Sequence, residues 1–112
     1  MLSKANRLNL RTERARVEKE GHVSATSLFT LVYAANNNIP SRFAILTSKK
    51  LAAKSSQRNA IKRLITEGIR HETSKIPSGL DVIIIPKRTA LEVSPETVKK
   101  EIVKQILSLY HD

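Results

Sequence analysis

S-K-K-L-A-A-K-S-S-Q-R-N-A-I-K-R-L, residues 48–64, is where the chain changes from strand-like to helix-like sequence and where its charge gathers. Ser55 or Ser56 can cap a helix running to about Glu72, in which Ile61, Leu64, Ile65 and Gly68 fall within about 100° of arc. Arg58, Asn59, Lys62, Arg63, Thr66 and Arg70 fill an adjoining arc of about 140°, so one side of the helix is apolar and its neighbour is basic. Between Arg42 and Arg70, the cations Arg42, Lys49, Lys50, Lys54, Arg58, Lys62, Arg63 and Arg70 face a single acid, Glu67, which makes +7 of the chain's formal +10. Residues 71–112 contribute no net charge. A localised patch of this kind is what a polyanion-binding site needs.

Working outward, Leu28 to Ala35 is rich in β-formers, and Asn36-Asn37-Asn38 with Pro40 signals a turn into a second strand, Arg42 to Thr47. These two strands are expected to pair as an antiparallel hairpin, with a short strand at His22 to Ala25 completing a meander. Thr12 to Glu20, ended by Gly21, reads as a short helix, and residues 1–11 read as a flexible, extended arm. Asp81 to Ile85 (D-V-I-I-I) is apolar on both faces and is expected at the centre of a sheet. Ser94, with Pro95 at the first helical position, starts a last helix with core stripe Val98, Ile102, Ile106 and Leu109. The order is α-β-β-β-α-β-α in one α+β domain spanning residues 1–112.

At 112 residues, with 40% hydrophobic and 27% charged residues, the chain has the composition of a folded soluble domain. A pI near 10.3 points to an extended acidic partner, nucleic acid first. The absence of cysteine removes disulfides and thiolate metal sites and fits a reducing cytoplasm. No apolar run approaches the roughly 20 residues of a membrane span. Glu13, Glu18 and Glu20 break the acid-poor pattern of a transit peptide, so the whole chain is read as mature protein.

Parts for catalysis are sparse. His22, His71 and His111 lie far apart with no i, i+4 partner. Lys54 beside Ser55 and Ser56 stands among like charges, whereas a Ser-Lys nucleophile needs a buried lysine. Three unclustered glycines cannot form a phosphate loop. Binding remains. The helix start offers free N–H groups beside Lys54, Arg58 and Lys62, and Asn59 supplies a donor and an acceptor for a base edge or a 2′-hydroxyl. Phe29, Tyr33 and Phe43 lie on strands, where they either stack on bases or pack in the core.

T-S-K-K (Thr47 to Lys50), then R-N-x-x-K-R-L at Arg58 to Leu64, resembles the signature of the bacterial ribonuclease P protein component. N-R-L at Asn6 to Leu8, Gly21, R-F-A at Arg42 to Ala44, and I-P-S-G-L-D-V-I-I-I at Ile76 to Ile85 extend the resemblance over nearly the whole chain. It implies an α+β two-layer sandwich with a four-stranded sheet, similar to the second domain of a small-subunit ribosomal protein, with a left-handed β-α-β crossover. It further implies a subunit that assists an RNA, with bound magnesium, in removing the 5′ leader of precursor tRNA, as a complex of one protein and one ribonuclease P RNA.

The same resemblance puts Lys49, Lys50, Lys54, Arg58, Asn59, Lys62, Arg63 and Arg70 at the catalytic RNA. It places the leader between the first helix and the sheet, with Phe29 and Phe43 as candidate floor. Departures are Ala60 and Thr66, where the family usually carries cations, and Arg14 and Glu18, where its first helix usually carries aromatics. Leader contact through the charge of Arg14 is then expected instead of stacking. The alternatives are a ribosomal or ribosome-assembly RNA-binding protein on the same scaffold and a DNA-binding protein, for which no helix-turn-helix pair is visible.

Overall fold

The computed structural model describes residues 2–110. Its elements are α1 (Leu10–Glu20), β1 (His22–Ala25), β2 (Phe29–Ala35), β3 (Arg42–Ile45), α2 (Ser55–His71), β4 (Leu80–Pro86) and α3 (Pro95–Ser108), in the expected order. Asn9 caps α1 by accepting from the Arg11 N–H at 3.0 Å, and Ser94 caps α3 by accepting from the Thr97 N–H at 3.2 Å. At α2 the cap position belongs to Lys54, whose side chain makes no capping bond, and the two serines lie one step inside the helix.

The sheet runs β1-β2-β4-β3, with β4 antiparallel to β2 and parallel to β3. The expected β2–β3 hairpin is therefore replaced. β1 and β2 form a hairpin, but β4 enters between β2 and β3 because a strand apolar on both faces loses most exposed surface when paired on both sides. Asn37 and Asn38 adopt left-handed φ of 62° and 65°, which asparagine tolerates, and carry the chain past the end of β4. α2 joins the adjacent parallel strands β3 and β4, the β-α-β unit that the resemblance implies.

Strand alternation divides the apolar residues between two faces. Phe29, Leu31, Phe43, Val82 and Ile84 meet Ile61, Ile65 and Ile69 of α2 and Val98, Ile102 and Ile106 of α3. Ala34 and Ile83 meet Val17 of α1 and Leu8 on the opposite face. The sandwich is thus asymmetric, with α2 and α3 as the main helical layer. α2 and α3 come close because Gly68 has no side chain: a Cβ there would sit 3.1 Å from the Cα and carbonyl oxygen of Lys99. Gly21 closes α1 at an ordinary φ of −84°, and its need is also for space, since a Cβ would sit 2.8 Å from the Tyr33 carbonyl.

Residues 2–9 are not a free arm. Leu2 and Leu8 are buried, Arg7 bridges Phe43 in parallel, the Leu8 N–H donates to the Phe43 carbonyl at 2.9 Å, and Asn6 Nδ2 donates to the Ser41 carbonyl at 2.8 Å. The two leucines supply the apolar anchor that turns a basic tail into an edge segment beside β3.

One polar cluster ties these parts together. Asp81, on the central strand and 0% exposed, accepts from Arg42 Nε at 2.8 Å and Nη2 at 2.7 Å, from Asn36 Nδ2 at 3.0 Å, and from Arg16 Nη2 on α1. Burial alone would push its carboxyl pKa up. Hydrogen bonds from Arg42 and Asn36, and the charges of Arg42 and Arg16, outweigh that and hold it below the ordinary carboxylate value. Asp81→Asn should cost about 3–5 kcal/mol in denaturant unfolding, because it leaves two partly buried guanidiniums without their carboxylate. A lowered folded-state pKa gives stability that is complete above the unfolded carboxylate value and lost on acidification. Wild-type stability should therefore fall below about pH 4, and by less in Asp81→Asn. Equal acid sensitivity of the two proteins would contradict this assignment.

Candidate RNA interface

The basic stretch forms one continuous surface. Loop 46–54 leaves β3 and is pinned by the buried side chains of Leu51 and Ala52, which leaves Lys49, Lys50 and Lys54 exposed. Ile61, Ile65, Gly68 and Ile69 take the buried face of α2, while Asn59, Lys62, Arg63 and Arg70 are exposed on the other side. Leu64, expected in the core, is only partly buried, and Ile69 takes the deeper place. Arg58 behaves differently from the other cations. Its Nη1 donates to the carbonyls of Ala52 and Ala53 at 2.8 and 2.9 Å, so the guanidinium ties the lysine-bearing loop to the first turn of α2. The resemblance puts Arg58 at the RNA, and nothing local in the sequence signals this second role.

Charge compensation is uneven. Arg42, counted in the patch from sequence, is consumed by Asp81 and lies near Glu13 at 3.7 Å. Glu67, the patch's one acid, faces Lys99 of α3 at 3.7 Å. Among the described residues Lys49, Lys50, Lys54, Arg58, Lys62, Arg63 and Arg70 make no ion pair. Six of these cations, Lys49 to Arg63, lie on the loop and the first half of α2, whose N-terminus has no side-chain cap and no acid in its first turn, and with Arg70 in the last turn they make a strongly positive surface suited to phosphates. Asn59, Lys62 and Arg63 also border a groove whose far wall is the edge of β3 and Arg7.

The candidate leader residues do not come together. Phe29 is 0% and Phe43 3% exposed, and both belong to the core on the α2–α3 face, away from α1. Their parity in the strands forces this, since Val17 of α1 packs on residues of the other parity. Arg14 and Glu18 are about half exposed and pair with each other, Nε to Oε2 at 3.2 Å, one helical turn apart. The sheet face beside α1 instead presents aliphatic residues. Val23, Val32, Ile83 and Ala44 align across all four strands, and Leu46 and Ile85 pack partly buried beside them. That strip was readable only once the register was known.

His22 and Tyr33 pack ring to ring at 5.7 Å across the β1–β2 pair, His71 is exposed at the end of α2, and His111 lies outside the described residues. Among the described residues no three histidine or carboxylate side chains gather in a group able to hold a metal ion. No helix of the described residues is long and apolar enough to cross a membrane.

The family model described as Ribonuclease P matches residues 2–110. The chain belongs to the ribonuclease P protein family. It is 31% identical over 104 residues to the ribonuclease P protein component of Caldanaerobacter subterraneus, covering 93% of this chain and 89% of the relative. Similarity to the Thermotoga maritima protein component is 30% over 90 residues, 80% of this chain and 76% of the relative. The solved structure of a Thermotoga maritima ribonuclease P protein superposes with a TM-score of 0.86 at 27% identity, over 95% of this chain and 99% of that one. A Staphylococcus aureus ribonuclease P protein superposes with a TM-score of 0.81 at 29% identity, over 95% of each chain. Membership makes the chain a protein subunit of the bacterial endoribonuclease that processes tRNA 5′ ends, with ribonuclease P RNA as its partner.

The two kinds of cation should separate experimentally. Lys62→Ala should lower the slope of log affinity for ribonuclease P RNA against log salt by about 0.7 to 0.9, with loop 46–54 unchanged. Arg58→Lys keeps the charge but ends one bond short of the Nη1 position that reaches both carbonyls, and lacks the planar group that holds it there. It should speed amide exchange across residues 48–54 and weaken RNA binding several-fold. Wild-type exchange and affinity in Arg58→Lys would leave Arg58 as a simple charge.

Proposed function

We propose that this subunit binds the catalytic RNA through loop 46–54 and the exposed face of α2, and steadies precursor tRNA while the RNA subunit performs hydrolysis. The observation that carries this reading is the segregation of charge. Seven cations without ion partners lie along loop 46–54 and α2, whereas Arg14, Arg16 and Arg42 are consumed by Glu18, Glu13 and Asp81. Phosphate contacts supply affinity at such a surface, and Asn59 adds a group suited to a 2′-hydroxyl or a base edge.

In this reading the single-stranded leader lies on the aliphatic strip beside α1, over Val32, Ala44, Leu46 and Ile85. Apolar contact with sugars and base faces there replaces stacking on rings, and Arg14 is tempered by its pairing with Glu18. The chain's own donors do not fit a magnesium site, since Asp81 and Glu13 are held by guanidiniums and the remaining acids do not cluster among the described residues. Magnesium is therefore assigned to the RNA subunit, and no step is routed through a protein-bound ion. The working complex contains one copy each of protein and ribonuclease P RNA, with precursor tRNA as substrate, in the cytoplasm.

The test adds purified chain to a bacterial ribonuclease P RNA and a precursor tRNA at magnesium too low for the RNA alone. Stimulated cleavage at the leader junction is expected, with no cleavage by the chain without RNA. Unchanged RNA activity, or cleavage by homogeneous protein that a point substitution abolishes, would refute the proposal.

A further inference from the structure

A groove of about 550 Å³ opens between the edge of β3 and the basic face of α2, within the range of about 300–1,000 Å³ usual for small-ligand sites. Its floor is apolar, from Leu8, Phe43 and Ala44, and its rim carries Arg7, Lys62 and Arg63, which make no ion pair among the described residues. Thr66 on α2 is short enough to leave the groove open; a long side chain there would reach across it.

A peptide edge also faces this space. The Leu46 N–H donates to the Ile84 carbonyl at 2.9 Å, and the Phe43 carbonyl is taken on the other side by Leu8. Alternation along β3 then turns the N–H and C=O of Ile45 off the sheet edge, where they meet no backbone partner among the described residues. Ile45 lines the groove. An apolar floor, a free donor–acceptor pair, the Asn59 amide and a cationic rim together match one nucleotide, its base face against the floor and its flanking phosphates on the rim.

We propose that this groove takes a single unstacked base of ribonuclease P RNA, extruded from the strand that crosses α2. The inference rests on the reading that α2 binds that RNA. Charge selects the occupant, since a rim of three uncompensated cations suits an RNA strand and repels a basic partner, including a second copy of this chain. The precursor leader is placed on the sheet face beside α1, so the groove is assigned to the catalytic RNA.

The test is chemical probing of Watson–Crick edges in ribonuclease P RNA, free and bound to the full-length chain, with precursor tRNA absent. Wild-type protein should protect one unpaired base that Thr66→Trp, which fills the groove from the half-buried flank of α2, leaves reactive. Thr66→Trp should bind about tenfold more weakly with an unchanged salt slope. Asn59→Ala should weaken protection of the same base without filling the groove, and circular dichroism should show both variants folded. A base protected equally by wild type and both folded variants overturns the groove assignment. Lys62→Ala distinguishes the two failures: a reduced slope with unchanged base reactivity in Thr66→Trp refutes the groove alone, and an unchanged slope refutes the α2 reading beneath it.

Discussion

A carboxylate on the middle strand, wholly removed from solvent, has to be matched by fixed donors, and the arrangement of this fold follows from how Asp81 is matched. Arg42 reaches it from β3, Arg16 from α1 and Asn36 from the end of β2, so the cluster joins three elements of the sheet and the helix lying across it. Apolar contact between α1 and the sheet is thin, with Val17 the only buried residue in that helix. The ionic cluster therefore carries orientation that packing carries elsewhere. Glu13 extends it by bonding Arg16 at 3.0 Å, which keeps the first helix aligned with the end of the sheet.

The same pairing decides which charges remain for function. Arg16 and Arg42 are neutralised within the fold, while the cations after β3 are held outward by hydrophobic anchors beneath them. Leu51 and Ala52 fix the loop, Ile61, Ile65 and Ile69 fix the helix, and Gly68 lets α2 lie against α3 so that its other side stays clear. Arg58 belongs partly to each group, a cation of the patch used as a tie for the loop. A surface assembled this way presents its charge in a set geometry and loses less side-chain and loop entropy on binding than a flexible basic tail would.

What the sequence revealed was what repeats locally. The 3.6-residue stripes of α2 and α3 and the double-sided apolar run of β4 placed those elements well, and the lysine and arginine motifs located the basic surface. Pairing between distant strands was less accessible. The Asn-Asn-Asn turn shows that the chain reverses, but it does not say that β4, from much later in the chain, will sit between β2 and β3. The inward parity of Phe29 and Phe43 depends on that register, so residues expected near α1 proved to be core on the other face. Asp81 meets Arg42 at a separation of 39 residues and Arg16 at 65, beyond any periodicity argument. Leu2 and Leu8 read as scattered apolar residues in a basic tail because the two core clusters they join, on opposite faces of the sheet, are built from residues far along the chain.

If the exposed face of α2 and the loop before it are where this subunit meets RNA, amide hydrogen exchange of the full chain with and without ribonuclease P RNA will show it directly. Exchange should slow across residues 47–63, most at the first-turn amides of α2, which no side chain caps in the free protein. The outer face of α3, residues 96–104, should be unchanged. Protection centred on α3 or on β1, with residues 47–63 exchanging as in the free protein, would contradict the account.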